Sequence, residues 1–456
     1  MARDQIDMTP LDSRDALVGW LEAGCKPKSE FKIGTEHEKT PFTLNAHRPV
    51  PYEGTRGINA LLEGMRLLLG WEPINERGNI IGLYDVTGGG AISLEPGGQF
   101  ELSGAPLDNV HHTAVELAAH LAQVREIAEP LGIGFLGLGM TPSWSREQIP
   151  AMPKGRYGIM TRYMPKVGRY GLDMMYRTCT VQANLDFSSE SDMVKKLRVA
   201  LALQPVATAL FANSPFTEGK PNGFLSFRSE IWRDTDNARA GMIPWAFEDG
   251  MGFERWVDYA LDVPMYFVKR GDDYIDVSGS SFRDFLEGRN EKFPGQKPTL
   301  SDWANHLSTI FPEVRLKRYL EMRGADGVPL QQLPALPAFW VGLLYDDASL
   351  DAAWELVREW DTATRQAMRD AVPRLGFKTP IGNRFIFEVA RECLVLARAG
   401  LRRRASVDHL GRDESRFLEP LDRIVDAGRT PAEEMLTKFN GVWGGSVDPV
   451  YDAYAF

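Results

Sequence analysis

The sequence predicts an α+β protein in which helices cover one face of an antiparallel sheet. Several stretches alternate apolar and polar residues with a period of two, as half-buried strands do. Other stretches repeat apolar residues at helical spacing, and this periodicity dominates the chain from about Thr299. Antiparallel sheets commonly have one covered face and one open face, so the polar residues of the strands are expected on the open face.

Length and charge limit the classes of function. The chain has 456 residues and a formal net charge of -10. An electrostatic nucleic-acid binder needs a basic face, so this class is disfavoured. Three cysteines are too few for a disulfide framework, and no basic-then-apolar secretory segment is visible. The longest apolar run, 199–212, is too short to span a bilayer, so a cytoplasmic protein without a membrane partner is expected.

Helices are predicted where apolar residues recur at helical spacing between capping or breaking residues. Proline inside such a segment removes a backbone donor and favours a kink or a break. The predicted helices are Ser13 to Gly24, Ile58 to Leu69, about Asn109 to Leu131, a segment from about Ser191 that is kinked or split at Pro205, Trp354 to Met368 and Phe385 to Leu401.

The predicted strand Phe31 to Lys39 carries two carboxylates on one face. Glu36 and Glu38 are two residues apart and point the same way, and Gly34 leaves space beside them. Adjacent like charges without a counterion are unfavourable on a strand. A bound cation is therefore inferred here, with an exposed strand face as the alternative.

The stretch Ala91 to Gly104 has the same character. It combines the carboxylates of Glu95 and Glu101 with the amide of Gln99 around a Pro-Gly-Gly turn at 96–98. Oxygen ligands beside a bend suit a divalent cation. The alternative is a surface strand with a polar outer face.

Two more strands are predicted to add polar groups to the same sheet face. In Thr178 to Phe187, Gln182 and Asn184 alternate with apolar residues, and in Phe224 to Glu230, Arg228 lies on the polar face. The polar faces together would supply Glu36, Glu38, Glu95, Gln99, Glu101, Gln182, Asn184 and Arg228.

The segment Met140 to Gly171 is predicted to be a long irregular loop, and such loops in compact proteins are usually functional. Its cations could meet an anionic substrate or phosphates, or they could simply face solvent. They include Lys154, Arg156, Arg162, Lys166 and Arg169.

Several long motifs resemble the plant-type glutamate–cysteine ligases, a family also widespread in proteobacteria. The motifs are I-G-T-E-H-E-K at 33–39, S-L-E-P-G-G-Q-F-E-L-S-G-A-P-L at 93–107 and R-T-C-T-V-Q-A-N-L-D-F at 177–187. V-R-L-K-R-Y-L-E-M-R-G-A-D-G at 314–327 and W-G-G-S-V-D-P-V at 443–450 extend the likeness to nearly the whole chain.

This resemblance implies a funnel-shaped antiparallel sheet with helices packed outside, similar to the catalytic domain of glutamine synthetase. It implies ATP- and Mg²⁺-dependent joining of the γ-carboxylate of L-glutamate to the amine of L-cysteine through a γ-glutamyl phosphate, the first step of glutathione synthesis. One catalytic unit over 1–456 is expected, sheet-rich to about residue 298 and mainly helical from about 299. Two or more Mg²⁺ ions and a monomer or homodimer are also expected.

Individual roles follow from the matching positions. Lys39 matches the family's catalytic lysine, although an ideal strand would point it away from Glu38, so that role requires a twist or bulge. Arg156 and Arg228 match arginines expected to hold substrate carboxylates or the transferring phosphoryl group, for which a bidentate guanidinium is suited. The metal ligands implied by the resemblance are Glu36, Glu38, Glu95 and Glu101, with Gln99 and Gln182 as neutral ligands.

The cysteines depart from the plant pattern. Cys179 and Cys393 match one of two plant cysteine pairs, and no cysteine occupies the region of the other pair. The resemblance therefore allows one disulfide, Cys179–Cys393, with buried free thiols as the alternative.

Three other functions are compatible with parts of the sequence. A related carboxylate–amine ligase could join glutamate to a different amine. A metal-dependent hydrolase would more often use histidine ligands. Of the seven histidines, His37 lies between Glu36 and Glu38 but is expected to point to the opposite face of the strand. A regulator that only binds glutamate or a nucleotide would give no reason for so many carboxylates suited to magnesium.

Overall fold

The structure is a computed structural model and describes residues 7–456. Its strands are β1 (Ile33–Thr43), β2 (Glu72–Glu76), β3 (Asn79–Tyr84), β4 (Ala91–Leu94), β5 (Phe100–Ser103), β6 (Ile133–Leu136), β7 (Thr180–Leu185), β8 (Phe216–Thr217), β9 (Lys220–Pro221), β10 (Ala240–Gly241), β11 (Phe267–Arg270), β12 (Asp273–Asp276), β13 (Phe311–Pro312), β14 (Val314–Leu316), β15 (Leu320–Asp326), β16 (Pro380–Ile381) and β17 (Arg384–Phe385).

Helices alternate with these strands and dominate the later part of the chain. They are α1 (Arg14–Glu22), α2 (Ile58–Leu69), α3 (Val110–Ala128), α4 (Gly155–Tyr163), α5 (Gly171–Arg177), α6 (Glu190–Leu210), α7 (Phe227–Ile231), α8 (Phe253–Asp262), α9 (Phe282–Leu286), α10 (Leu300–Ser308), α11 (Ala335–Leu344), α12 (Asp347–Val357), α13 (Thr362–Leu375), α14 (Ile386–Arg404), α15 (Glu419–Ala427), α16 (Pro431–Asn440) and α17 (Val450–Ala453).

One antiparallel sheet of nine strands organises the fold. Its strand order is β14-β15-β7-β1-β5-β4-β3-β2, and β6 pairs with the far end of β1. The central strand β1 sets the register of the site, because Glu38 lies opposite Glu101 on β5 and Glu36 lies opposite Gln182 on β7. The prediction of an α+β fold with an antiparallel sheet is confirmed.

Helices α2, α3, α6 and α11 pack against this sheet and give it one apolar, covered face. The apolar residues of the strands, such as Ile33, Phe100 and Val181, lie in the same core as the fully buried segment 199–203 of α6. Burial of this much apolar surface is the main favourable term in folding. The opposite face of the sheet is left to the polar residues.

Several predicted boundaries agree with the structure. Helix α1 begins after Ser13, whose hydroxyl accepts a hydrogen bond from the N–H of Ala16. Helix α2 ends at Gly70, which adopts the left-handed conformation that favours glycine at a helix C-terminus. Helix α3 begins after Asn109, whose side chain accepts from the N–H of His112.

Four predicted elements differ in detail from the structure. The single helix predicted from Trp354 to Met368 is two helices, α12 and α13, and Asp361 caps the second. The strand predicted over 224–230 is instead the short helix α7, because Ser226 caps it by accepting from the N–H of Ser229. Helix α6 is not split, and it runs through Pro205 within the core. The segment predicted to be irregular, Met140 to Gly171, contains helix α4. A short alternating run is compatible with both a strand and a helix. Side-chain capping bonds and burial then determine which of the two forms.

The boundary proposed near residue 299 remains a prediction, but the sheet crosses it. Strands β14 and β15 belong to the later part of the chain, and β15 pairs with β7. The later part therefore supplies one edge of the central sheet as well as packing helices. Within residues 7–456, no helix has the length and apolar character needed to cross a membrane.

Candidate active site

A cavity of about 410 Å³ lies against the uncovered face of the sheet. Every predicted metal-binding residue lines it, as do Arg156 and Arg228, whereas Lys39 does not. Strands of the sheet and the turn after β4 contribute the carboxylates, and helices α4, α5, α7 and α10 contribute further lining residues. Polar and aromatic lining residues are Glu36, Glu38, Ser93, Glu95, Gln99, Glu101, Arg156, Tyr157, Gln182, Arg228, Trp232, Phe311, Arg315, Lys317, Tyr319 and Arg323.

We call Glu36, Glu38, Glu95 and Glu101 the carboxylate wall. Strand pairing brings Glu38 and Glu101 to the same level of the sheet, directly across from each other. Nearby polar groups hold them there. Ser93 donates to Glu101 Oε2 at 2.6 Å, and the backbone N–H of Thr180 donates to Glu38 Oε2 at 3.0 Å. These bonds orient the carboxylates without supplying a positive charge.

Removal from water raises the pKa of Glu38 well above its usual value, and the negative charges of Glu95 and Glu101 add to this effect. Burial also raises the pKa of Glu36, with Glu321 as the next cause. The folded protein therefore holds these carboxylates against their mutual repulsion, and a cation placed between them would relieve it.

The carboxylate wall fits Mg²⁺ by its chemistry, since hard cations prefer oxygen ligands and these oxygens lack a strong positive counter-charge. In the part of the chain that is described, no three acidic, histidine or cysteine side chains stand close enough together to hold a metal ion. Binding would thus require the side chains to turn toward a shared point. Magnesium binding by Glu36, Glu38, Glu95 and Glu101 stays a prediction.

The side chain of Gln99, predicted to be a neutral metal ligand, is held by hydrogen bonds to the backbone. Gln99 accepts from the N–H of Gly97 at 2.9 Å, and its amide donates to the carbonyls of Met175 and Thr178. Its side chain therefore ties the 96–98 turn to the segment before β7. The Gln99 Oε1 atom has a second lone pair, so it could bind a metal while it keeps the bond from Gly97.

Gln182 links the two sides of the cavity. Its Oε1 accepts from Arg323 Nη1 at 2.7 Å, and its Nε2 lies 3.4 Å from Glu36 Oε2. Asn184 Nδ2 donates to the other oxygen of Glu36 at 2.9 Å. Glu36 is thus held by two amides rather than by a cation.

We call Arg228, Arg315, Lys317 and Arg323 the cationic wall. Three of them converge on the fully buried carboxylate of Glu321. Arg315 Nη2 donates to both its oxygens, at 2.6 and 2.9 Å, and Lys317 Nζ donates to Oε2 at 3.1 Å. Arg323 also contacts Glu321.

Burial alone would raise the pKa of Glu321, but Arg315, Lys317 and Arg323 outweigh it and hold this pKa well below its usual value. Glu321 therefore remains ionised and neutralises one of the three positive charges. The remaining positive charge makes this side of the cavity suitable for an anion, such as a carboxylate or a phosphate.

Two predicted arginines reach the cavity from helices. Arg228 on α7 is buried and donates from Nη2 to the carbonyl of Arg323 at 3.1 Å. Arg156 lies in the first turn of α4, and among the residues described its buried Nε has no hydrogen-bond partner. Of the cations singled out in the 140–171 segment, the described structure brings Arg156 alone to the cavity, and Arg162 and Arg169 pair with surface aspartates.

The structure does not bring Lys39 to the cavity. Its side chain is fully buried on the covered face of β1, where Nζ lies 2.7 Å from His120 Nε2 and 3.2 Å from the carbonyl of Phe100. Burial lowers the pKa of Lys39 to about 7. The pairing of β1 with β5 runs in register through Lys39, without the twist or bulge that a catalytic role required. This placement opposes that role, which stays a prediction.

The three cysteines are free, and the Cys179–Cys393 disulfide is not formed in this structure. Cys179 is buried beside Thr40, with 3.2 Å between Sγ and the Thr40 hydroxyl oxygen. Cys393 is buried in the core on helix α14. Burial raises the pKa of both thiols, which makes them poor nucleophiles for disulfide exchange.

The sequence-based site omitted three of the four residues of the cationic wall, and it omitted the carboxylate of Glu321. Residues 314–317 read Val-Arg-Leu-Lys, and 320–323 read Leu-Glu-Met-Arg, so both runs alternate with a period of two. That alternation was a usable strand signal. It predicts that Arg315, Lys317, Glu321 and Arg323 lie on the polar face, as observed. The aromatic members Tyr157 and Trp232 carried no comparable signal.

Comparison with solved structures identifies the class of fold. The chain shares its fold with a glutamate–cysteine ligase from Francisella tularensis in complex with AMP, with a TM-score of 0.53 and 14% sequence identity. The match covers 96% of this chain and 86% of that one. The two proteins therefore share a fold, and this likeness concerns the arrangement of the chain alone.

Sequence comparison is more specific. The family described as Glutamate-cysteine ligase family 2 (GCS2) matches residues 32–453, and the chain belongs to this family. The chloroplastic glutamate–cysteine ligase of Arabidopsis thaliana is 58% identical over 440 residues, which cover 96% of this chain and 82% of that protein. The enzyme of Nicotiana tabacum is 57% identical over 443 residues, covering 97% and 83%.

These relatives contradict the expected cytoplasmic location, because they are named as chloroplastic enzymes. The expectation rested on the lack of a secretory signal and of a membrane span. Neither feature distinguishes one compartment within a cell from another, so the prediction was wrong in its basis.

Proposed function

We propose that this protein joins the γ-carboxylate of L-glutamate to the amine of L-cysteine with consumption of ATP, the first step of glutathione synthesis. The observation that carries the proposal is a single cavity in which the carboxylate wall faces the cationic wall. The first can attract metal ions and the second can attract anions, and family membership supports this assignment.

The chemistry explains why both walls are needed. A carboxylate is a poor acylating agent at neutral pH, so its oxygen must first be converted into a leaving group. Attack of the γ-carboxylate on the terminal phosphorus of ATP gives an acyl phosphate and ADP. The cysteine amine then attacks the acyl carbon, loses a proton and expels phosphate. Phosphoryl transfer depends mainly on positioning and on neutralising phosphate charge.

The arginines of the cavity suit the anionic parts of this reaction. Among the described residues, the Nε atom of Arg156 has no hydrogen-bond partner, and Arg323 lines the cavity and donates to Gln182. We assign Arg156, Arg228 and Arg323 to binding the substrate carboxylates and the phosphoryl group in transfer. A planar guanidinium can donate two parallel hydrogen bonds to either group.

Glu36, Glu38, Glu95 and Glu101 would hold Mg²⁺. When bound, the metal would neutralise charge on the phosphates of ATP. The residues of the chain orient these carboxylates beforehand: Ser93 fixes Glu101, and the backbone at Thr180 fixes Glu38. We also infer that the fully buried Glu321 keeps Arg315 and Arg323 in place before substrate arrives.

A related carboxylate–amine ligase that uses glutamate with another amine is the second candidate. The cavity supports it because aromatic and apolar residues such as Trp232, Phe311 and Met160 line it beside the charged walls, and their shape would select the amine.

Release of ADP tests both candidates. Purified protein with Mg²⁺ and ATP should release ADP when glutamate and cysteine are both present, and mass spectrometry should detect γ-glutamylcysteine in equal amount. Glutamate or cysteine alone is the control. Product with another amine but not with cysteine would favour the second candidate, and silence with every amine would refute the ligase assignment.

A further inference from the structure

We propose that Glu76 is a positioning residue that holds Arg156 in place through the first turn of α4. Glu76 does not line the cavity and lies far from Arg156 in the sequence. The proposal rests on the proposed function for Arg156. It concerns a buried carboxylate at the edge of the sheet that the mechanism above does not use.

Glu76 is the last residue of β2 and is buried, with 4% of its surface exposed. The hairpin between β2 and β3 turns through Arg77 and Gly78, which both have positive φ, and Glu76 pairs with Asn79 across the turn. Two-residue turns with positive φ at both positions match the twist of the flanking strands. The carboxylate therefore lies at the tip of a regular hairpin.

The carboxylate of Glu76 accepts a hydrogen bond from the backbone N–H of Gly155, the first residue of α4. The first N–H groups of a helix have no partner within the helix, and a negative charge beside them is favourable. The preceding residue, Lys154, makes no side-chain capping bond. Glu76 thus supplies from a distant strand the cap that the local sequence lacks.

Close approach accounts for the glycine at position 155. A Cβ atom there would lie 2.8 Å from Glu76 Oε1 and 3.1 Å from the ring of Tyr274. The start of α4 is therefore held between the β2–β3 hairpin and the β11–β12 hairpin. The ion pair Arg77–Asp273 joins the two hairpins, and Arg162–Asp276 joins α4 to the β11–β12 hairpin. Exposed pairs of this kind contribute little to stability.

Arg156 follows Gly155 directly, so the contact that fixes Gly155 also fixes the origin of the Arg156 side chain. The next residue, Tyr157, lies 3.3 Å from Glu95 Oε1 through its hydroxyl and donates to the carbonyl of Leu94 at 2.6 Å. A shift of α4 would move the guanidinium relative to the carboxylate wall. A displacement of about 1 Å can lower an enzyme's rate by roughly 100-fold.

Steady-state kinetics of the full chain test this role. We expect Glu76→Ala to lower kcat/KM for glutamate by about 10- to 100-fold, with little change in KM for ATP. Glu76→Gln keeps an acceptor oxygen and should recover activity to within about threefold of wild type, and Glu76→Asp should be intermediate. The control is Glu72→Ala, which removes an exposed glutamate from the same strand and should leave activity unchanged.

A double-mutant cycle with Arg156→Ala separates positioning from general damage. If Glu76 acts through Arg156, Glu76→Ala should add no further loss of kcat/KM when Arg156 is already alanine. Its effect on the unfolding midpoint should be the same in both backgrounds. Additive losses of kcat/KM, or wild-type kinetics of Glu76→Ala, would overturn the inference.

Calorimetry measures glutamate binding to wild type, Glu76→Ala, Arg156→Ala and the double variant. It distinguishes failure of the proposed function from failure of the positioning role of Glu76. If wild type binds glutamate but makes no dipeptide, the proposed function fails, and non-additive binding in the cycle still supports positioning by Glu76. Additive binding would overturn the positioning role. Absence of glutamate binding in wild type would overturn both proposals.

Discussion

The carboxylate wall and the cationic wall lie in one cavity but balance their charges differently. Glu38 and Glu101 face each other and are oriented by neutral donors, so their repulsion persists in the folded protein. The cationic wall has an internal counter-ion, because Glu321 accepts bonds from Arg315, Lys317 and Arg323. The carboxylate wall therefore needs a bound cation to neutralise its negative charge. In the cationic wall, Glu321 already neutralises part of the positive charge.

Substitutions in the two walls should therefore affect protein stability and catalytic activity differently. Loss of a charge from the carboxylate wall should relieve repulsion in the free protein while harming chemistry. Loss of Glu321 should harm both, because it leaves buried cations without a partner. The following predictions test this contrast.

Glu321→Gln should have the largest effect on stability. Breaking a buried ion pair by removing one partner costs about 3–5 kcal/mol, since the remaining charges stay desolvated. Urea unfolding should show this loss of unfolding free energy, and dipeptide formation should fall with it. Glu355→Gln, on an exposed ion pair of α12, is the control and should change stability little. Wild-type stability of Glu321→Gln would contradict the role of Glu321 as counter-ion.

Glu101→Gln, and likewise Glu36→Gln, should abolish turnover while the fold persists. We expect kcat to fall by at least about 100-fold at saturating Mg²⁺, as when a single group that stabilises transition-state charge is removed. Circular dichroism should be unchanged. Near-wild-type kcat in either variant would remove that residue from the catalytic site.

The stability of the metal-free protein should depend on pH through the carboxylate wall. The pKa values of Glu36 and Glu38 are raised in the folded state, so the folded protein binds more protons than the unfolded chain above the ordinary value of 4.5. Their contribution to stability should therefore fall as pH rises through the folded pKa values. Thermal unfolding from pH 5 to pH 8 measures this contribution, with Glu38→Gln as the comparison.

Saturating Mg²⁺ should flatten this pH dependence in wild type and should raise the unfolding midpoint more at pH 8 than at pH 5, since the metal competes with protons. An equal shift at both pH values, or no shift, would contradict metal binding by the carboxylate wall.

Lys39→Met should affect stability more than turnover, because its ammonium lies on the covered face. Burial lowers its folded pKa to about 7, below the ordinary 10.5, so the unfolded chain binds more protons between these values. Its contribution to stability should rise with pH across this interval, and Lys39→Met should remove that rise. A loss of kcat of about 100-fold with normal stability would instead restore the catalytic role that the resemblance implied.

The smallest expected effect concerns the thiols. Because Cys179 and Cys393 are both free and buried, titration after mild oxidation and unfolding should find three thiols. Finding only one would show that the disulfide forms and that this structure represents the reduced protein.

Much of the site could be predicted from strand periodicity, because a period of two fixes which residues share a face. Glu36 with Glu38, and Gln99 with Glu101, follow from spacing alone and do line the cavity. The same rule placed Lys39 on the opposite face, where the structure has it. The family resemblance instead implied that Lys39 reaches the active site. The in-register pairing of β1 with β5 keeps its side chain on the covered face.

Periodicity was less informative where a run was short or lay inside a mainly helical region. Ser226 capped a helix where alternation indicated a strand. The alternating run 314–317 was not used, because helical periodicity surrounds it. Arg323 adds a further difficulty, since the register of β15 against β7 shifts between Met322 and Ala325, and such a bulge can redirect a side chain.

The sequence by itself determined the fold class, the polar face of each long strand and the family. Those properties depend on local spacing and on extended motifs, which a single chain displays directly. The tertiary structure decided which strands are neighbours, that Glu321 balances three cations from β14 and β15, and that Glu76 reaches the start of α4. These contacts join residues far apart in the chain, and their energies depend on burial that local sequence does not specify.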